Sequence, residues 1–174
     1  AGGDTINAVK QAAEFGIPQG GQTLAGLLLN VNDIHALGLD TAQGLMLANS
    51  FYWDMNDETR AWSKTFEERT GRKPSMNQAG VYSAVKHYLK AVQEAGTDDA
   101  DKVAAKMRAT PITDMMMKDA RIADNGRIFN DMYLAQIKAP GESKGAWDYF
   151  KILKTIPGEQ AYINPKDSGC PLVK

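Results

Sequence analysis

The chain opens with Ala1-Gly2-Gly3-Asp4-Thr5-Ile6-Asn7-Ala8-Val9-Lys10-Gln11-Ala12-Ala13-Glu14-Phe15-Gly16-Ile17, a glycine turn that runs straight into an amphipathic helix. Asp4 or Thr5 is the expected cap, Ile6, Val9, Ala13 and Phe15 form the apolar stripe, Gly16 takes the position after the helix and Pro18 stops it. No charged or apolar leader segment stands ahead of that turn in these residues. An opening of this kind reads as a strand-to-helix turn whose strand lies before residue 1. The expectation is therefore the C-terminal part of a longer α/β protein, sharing its function with residues outside this chain.

Downstream, Thr23 to Leu29 predicts a buried strand, Asn30 to Asp40 a short helical turn, and Gly44 to Phe51 a second strand. A helix followed by two apolar runs predicts a covered, parallel sheet. Phe51-Tyr52-Trp53 then precede a capped helix through Trp62 and Phe66 that ends at Gly71. Val81, Val85, Tyr88, Leu89 and Val92 recur at helical spacing, which predicts one long helix over 77–95, closed by Gly96 and lying on a core. Asp98 or Asp99 begins a further helix that stops at Thr110-Pro111. The texture changes at Asp124-Asn125-Gly126-Arg127, where an Asn-Gly turn between alternating apolar positions predicts a hairpin. Strands follow over 132–137 and 149–156, and the rest is loop.

Several function classes fall away. With Lys+Arg 20 against Asp+Glu 21, a net charge of −1 offers no electrostatic ground for nucleic acid or an acidic membrane as partner. No stretch approaches the roughly 20 apolar residues that cross a bilayer. His35 and His87 lack a ligand at the spacing that builds a helical metal site, so no metal is expected. Gly-x-Ser-x-Gly, Walker and Gly-x-Gly-x-x-Gly motifs are missing, and Gly20-Gly21-Gln22 lacks the lysine a phosphate cradle needs. The pairs Glu67/Glu68 and Asp98/Asp99 are adjacent, so on a helix they point apart. No nucleophile, base and orienter converge; neither an enzyme nor a cofactor is expected. Met107, Met115, Met116 and Met117 read as adaptable core filler. Cys170 is either a spare thiol or half of a disulfide whose partner lies outside this chain, the latter implying an oxidising compartment.

The remaining candidate for a site is Phe51, Tyr52 and Trp53, at the C-terminal end of a strand, where open α/β sheets place ligands. Alternation along the strand sends at least one of them to the core, so lining and packing stand side by side. Asp4, Asn30 and Asn32, near other strand ends, are the polar groups able to serve the same cleft, though each is also an ordinary turn or cap residue.

In order and spacing, Gly2-Gly3-Asp4-Thr5-Ile6-Asn7-Ala8-Val9-Lys10-Gln11-Ala12, Gln43-Gly44-Leu45-Met46-Leu47, Gln78-Ala79-Gly80-Val81-Tyr82-Ser83-Ala84-Val85, Asp124-Asn125-Gly126-Arg127, Trp147-Asp148-Tyr149 and the closing Cys170-Pro171-Leu172-Val173-Lys174 resemble the type I periplasmic solute-binding proteins of ABC importers. This group contains the leucine/isoleucine/valine-binding protein and relatives for aromatic acids and amides. The resemblance implies two Rossmann-like α/β lobes joined by hinge crossovers, with only the C-terminal half of the chain present. Residues 1–51 would belong to the C-terminal lobe, 52–130 to the N-terminal lobe, and 131–174 would return. Phe51 to Trp53 would serve as hinge and cleft floor, and Asn77 and Gln78 would face the cleft from the other lobe. The implied function is periplasmic capture of a small carboxylic acid by hinge closure, an aromatic acid ahead of a branched-chain amino acid. The implied partners are a membrane permease and the missing N-terminal half. Two other classes are weighed against it: a ligand-sensing domain of the same fold, and a small complete α/β enzyme, for which the sequence supplies no catalytic set.

Overall fold

Strand β2, Met46–Asn49, lies inside a four-stranded sheet with β1, Ala25–Gly26, on one side and β3, Met132–Ile137, on the other; β4, Phe150–Ile156, lies beyond β3. The computed structural model describes residues 2–171 and residue 173. The chain divides into two units, Ala1–Met76 with Met132–Thr155 and Asn77–Asp131 with Ile156–Lys174, and so passes from one to the other after Met76, Asp131 and Thr155.

In the first unit β1 runs parallel to β2, pairing Ala25 with Met46 and Gly26 with Leu47. Strand β3 runs antiparallel to β2, from Met46 opposite Gln136 to Asn49 opposite Tyr133. The two expected runs thus pair in parallel, as expected, and the sheet becomes mixed because β3 enters as a return strand from the second unit. The side chains of β2 fit that role: Leu47 and Asn49 are buried, Met46 and Ala48 only half so, an alternation suited to an antiparallel neighbour. Asn49 satisfies its own burial by donating Nδ2 to the Leu29 carbonyl at 3.0 Å.

The strand expected over Thr23 to Leu29 shrinks to Ala25–Gly26. Gly26 is the reason. A Cβ there would lie 2.2 Å from Leu29 Cδ1, so the missing side chain lets the chain curl and drop Leu29 into the core. Leu27, 88% exposed, and Leu28 are left on the outside of that curl. Helix α1, Gly3–Glu14, is capped by Gly2 with φ 66° and not by Asp4 or Thr5; Asp4 instead sits in the first turn, where a carboxylate favours the positive helix end. Helices α2, Val31–Leu37, and α3, Leu39–Ala42, are separated by Gly38 at φ 77°. They send Val31, Ile34, Leu37 and Ala42 into a core shared with Val9, Leu47, Ala135, Ile137, Tyr52 and Phe150. Helix α4, Asp57–Thr70, starts where Asn56 Oδ1 accepts from the Thr59 N–H at 2.9 Å and ends at Gly71 in the left-handed region, as its sequence signals predict.

Helix α5, Met76–Ala95, carries the second unit's body and corrects another expectation. Its buried positions are Ala79, Ser83, His87 and Ala91, while the apolar row of Val81, Val85, Tyr88 and Leu89 is exposed, Val81 to 65%. His87 fits among small neighbours because Nε2 donates to the Met107 carbonyl at 3.0 Å. That carbonyl belongs to helix α6, Ala100–Ala109, which is capped by Asp99 through its bond to the Lys102 N–H. The Asn125-Gly126 hairpin forms with Gly126 at φ 80° and a single Ile122–Ile128 bridge, over a small cluster of Ile112, Met117 and Ala120. Met116 and Met117 pack in it as fillers.

Helix α7, Gly158–Ala161, closes on the Phe129–Asn130 backbone, with the Gly158 N–H donated to Asp131 Oδ1 at 3.1 Å. A Cβ at Gly158 would stand 2.8 Å from the Phe129 carbonyl carbon and 3.0 Å from the Asn130 nitrogen, backbone atoms that a rotamer change cannot move. Gly158→Ala is expected to lower stability by about 1–3 kcal/mol. Urea unfolding of the full-length protein checks it, and an unchanged midpoint would contradict the packing.

Candidate functional site

The site grows from the point where β2 leaves the sheet. Of the three aromatics there, Phe51 turns into packing, meeting Trp62 edge-on at 5.7 Å and 89°. Tyr52 is buried and stacks on Phe150 at 4.6 Å and 17°, a pairing that contributes about 0.5–1.5 kcal/mol beyond its area. Trp53 stays half-buried. Phe51 and Tyr52 are thus both buried, towards different neighbours, and Trp53 alone of the three is partly exposed.

Tyr52 and Trp53 converge on one acceptor, the carbonyl of Trp147. Tyr52 Oη donates to it at 2.9 Å and Trp53 Nε1 at 2.8 Å. The same phenol oxygen accepts from the Tyr149 N–H at 3.1 Å and the Phe150 N–H at 3.4 Å, so a single side chain binds the turn before β4 through three backbone groups. Burial pushes the Tyr52 phenol up to about 12, opposed by the N–H groups of Phe150 and Tyr149 and reinforced by the nearby Asp148 charge.

Trp147 has φ +71°, a conformation that costs a bulky residue about 1–3 kcal/mol. Its neighbour Asp148 fixes the turn. Burial works against the Asp148 charge, yet the Lys138 ammonium at 2.5 Å and the Lys144 N–H at 2.8 Å hold its carboxyl below the usual carboxylate range. The Trp147 ring lies flat against the exposed His35, 3.9 Å between centroids at 8°, and His35 Nδ1 is 2.7 Å from Tyr149 Oη. On the other side, Lys73 Nζ stands 4.3 Å over the Trp53 ring while paired with Glu67 at 2.6 Å.

Asn32 joins the same group, its Nδ2 donating to the Lys73 carbonyl at 3.4 Å; it lies one helical turn from His35 on α2. Asn30 caps α2, with its N–H donated to Asp33 Oδ2 at 2.8 Å and its own Oδ1 buried with no partner among the described residues. Asp4 is exposed on α1, and among the described residues no hydrogen bond ties it to the aromatic group. Asn77 and Gln78, in the first turn of α5, belong to the second unit, where Asn77 is exposed and Gln78 half-buried. Sequence reasoning missed Trp147, Tyr149, Lys73 and His35 as members. The aromatic pair flanking Asp148, and the three-residue step from Asn32 to His35, were the signals available.

Two cavities lie elsewhere. One of about 820 Å³ in the second unit is lined by Lys118, Arg121, Phe129, Asp131 and Asn164, and one of about 210 Å³ in the first by Val9, Gln22, Leu24, Gln43 and Gln136. Among the described residues no cluster of three or more His, Cys, Asp or Glu is placed to hold a metal ion, and no helix is long and apolar enough to cross a membrane.

A mixed sheet packed with helices, on a chain that passes three times between two units, is the type I periplasmic binding protein fold in part. The family model described as periplasmic binding protein matches residues 1–146. The chain belongs to this family. It is similar to a periplasmic binding protein from Burkholderia mallei, 47% identical with a TM-score of 0.94, covering 100% of this chain and 46% of that one. A branched chain amino acid ABC transporter periplasmic ligand-binding protein from Burkholderia xenovorans is 40% identical with a TM-score of 0.89, again covering 100% and 46%. A solute binding protein of an ABC transporter from Rhodopseudomonas palustris, in complex with 3,4-dihydroxy benzoic acid, shares the fold at 18% identity and a TM-score of 0.75, covering 87% of this chain and 42% of that one. No curated protein matches the chain. The chain thus spans less than half the length of these structures.

The Tyr52 tether yields a prediction. Tyr52→Phe removes the acceptor of the Phe150 N–H and the phenol's bond to the Trp147 carbonyl, and is expected to cost about 1–3 kcal/mol in urea unfolding. Because the phenol is raised in the folded state, its stabilising share is complete below pH 10 and drains away as pH rises towards 12. Unfolding midpoints of native protein and Tyr52→Phe measured from pH 9 to 11.5 should converge, and a constant gap would contradict the burial of the phenol.

Proposed function

We propose that this chain forms part of an extracytoplasmic, periplasmic solute-binding component of an ABC importer, which captures a small carboxylic acid by hinge closure and presents it to a membrane permease. An aromatic acid is the favoured ligand, with a branched-chain amino acid next. The observation that carries the ligand class is the Tyr52–Trp53 pair, anchored on the backbone carbonyl of Trp147: a half-buried indole beside a buried phenol offers a flat apolar wall, with the Lys73 ammonium over one ring. The Rhodopseudomonas protein, solved with an aromatic acid on the same fold, supports this direction; the branched-chain description of the Burkholderia xenovorans relative supports the runner-up. No bond is made or broken in this reading. Under it the two units are parts of two lobes, and the passages after Met76, Asp131 and Thr155 are hinge connections. Trp53 and Asn32 in the first unit, and Asn77 and Gln78 in the second, are proposed as ligand contacts, and a ligand drives closure only by differential contacts with the two states. Asp4 and Asn30 are proposed as further polar contacts, Phe51 as structural support.

Calorimetric titration of the full-length protein tests the ligand. Affinity for 3,4-dihydroxybenzoic acid is expected to exceed that for leucine by about tenfold or more, which is about 1.4 kcal/mol. Trp53→Ala should remove most of that difference; tighter leucine binding would overturn the aromatic preference.

The second proposed partner is the rest of the same protein. The α5 row of Val81, Val85, Tyr88 and Leu89, and the outer side of β1 with exposed Leu27 and Leu28, are faces of the sort that upstream strands and helices cover. The 174-residue chain alone is therefore expected to self-associate on size-exclusion chromatography. Elution as a monodisperse monomer would contradict this assignment.

A further inference from the structure

We propose that Trp147 is a positioning residue for the Trp53 indole, acting through its backbone carbonyl and not through its ring. The inference rests on the reading that Trp53 lines the ligand's wall of the first unit. Gly145 to Asp148 form a turn closed by the Asp148 N–H on the Gly145 carbonyl at 3.2 Å, with Trp147 third at φ +71°. That third place with positive φ is the one a type II turn gives to glycine. A tryptophan holds it here because the turn is pinned from outside: Asp148 is gripped by Lys138 and the Lys144 N–H, and the Lys138 N–H donates to the Tyr149 carbonyl at 2.9 Å.

The left-handed backbone aims the Trp147 carbonyl at three donors, Trp53 Nε1 at 2.8 Å, Tyr52 Oη at 2.9 Å and the Tyr149 N–H at 3.1 Å. An indole has a single donor, so the acceptor's position sets the turn of the Trp53 ring about its own axis. Lys73 over the ring face supplies the other constraint, and it is itself held by Glu67 and through Asn32 on its carbonyl. The Trp147 ring takes no part in this, since it lies on His35. Ring and carbonyl therefore have separable jobs, and substitutions can remove one without the other.

The test uses the ¹⁵N-labelled full-length protein, reading the indole N–H resonances, with Trp53→Phe identifying the Trp53 signal and 3,4-dihydroxybenzoic acid and leucine as the titrated probes. Trp147→Gly adopts positive φ freely and keeps the carbonyl; the Trp53 signal should stay in place, with Kd within about threefold of native. Trp147→Val drives the backbone to negative φ; the Trp53 signal should move towards that of a water-exposed indole, and Kd for the tighter probe should rise about tenfold or more. A Trp53 signal unmoved in Trp147→Val, or moved as far in Trp147→Gly, overturns the proposal. Hydrogen exchange of the Trp53 indole in the native protein decides the matter even if the valine variant does not fold: slow exchange is expected, and exchange at the rate of free indole overturns it. A signal that moves in Trp147→Val while both Kd values hold upholds the positioning role and overturns the ligand-wall reading of Trp53 instead.

Discussion

The antiparallel ladder between β2 and β3 is the constraint from which the first unit follows. It joins two stretches that the chain keeps far apart, Ala1–Met76 and Met132–Thr155, by setting Asn49 opposite Tyr133 and Met46 opposite Gln136. Register in a half-buried strand is set by which face is apolar, since a slip of one residue would turn Leu47 and Asn49 away from the core. Once that register is fixed, the turn before β4 falls within reach of Tyr52, and the aromatic group assembles. Its hydrogen bonds are consequences of the sheet.

Much of the helical layout was legible. The α4 and α6 boundaries follow from Asn56, Gly71, Asp99 and Thr110-Pro111, because caps and stops are local chemistry. The errors are partly local and partly set by partners distant in sequence. Apolar content alone made Thr23 to Leu29 a strand, whereas the local curl that brings Leu29 onto Gly26 is signalled only by the glycine within that run. The sense of the sheet depended on a return strand beyond the second unit. On α5, helical spacing picked out Val81, Val85, Tyr88 and Leu89 correctly as one row, yet the face that packs within the described unit is the small one through Ala79, Ser83 and Ala91.

The aromatic group shows the same division. Strand position pointed to Phe51, Tyr52 and Trp53, and alternation required that they diverge, as Phe51 does towards Trp62. Nothing local could assign the turn of Trp147, because a positive φ is announced in sequence by glycine or asparagine and not by the largest side chain. Asn32 was named as a polar contact, and the structure joins it to the group through the main chain of Lys73. The pair it makes with His35 on α2 becomes meaningful only when Trp147 is found lying against the imidazole.

The threefold passage between units has a consequence for biosynthesis. Each unit is stitched from two separate stretches, so neither is finished until the residues around Thr155 and beyond have left the ribosome. Helices α4 and α5 emerge long before β3 and β4 can seat against what they follow. A nascent chain of this design waits with its sheet half built, which favours holding factors over domain-by-domain folding.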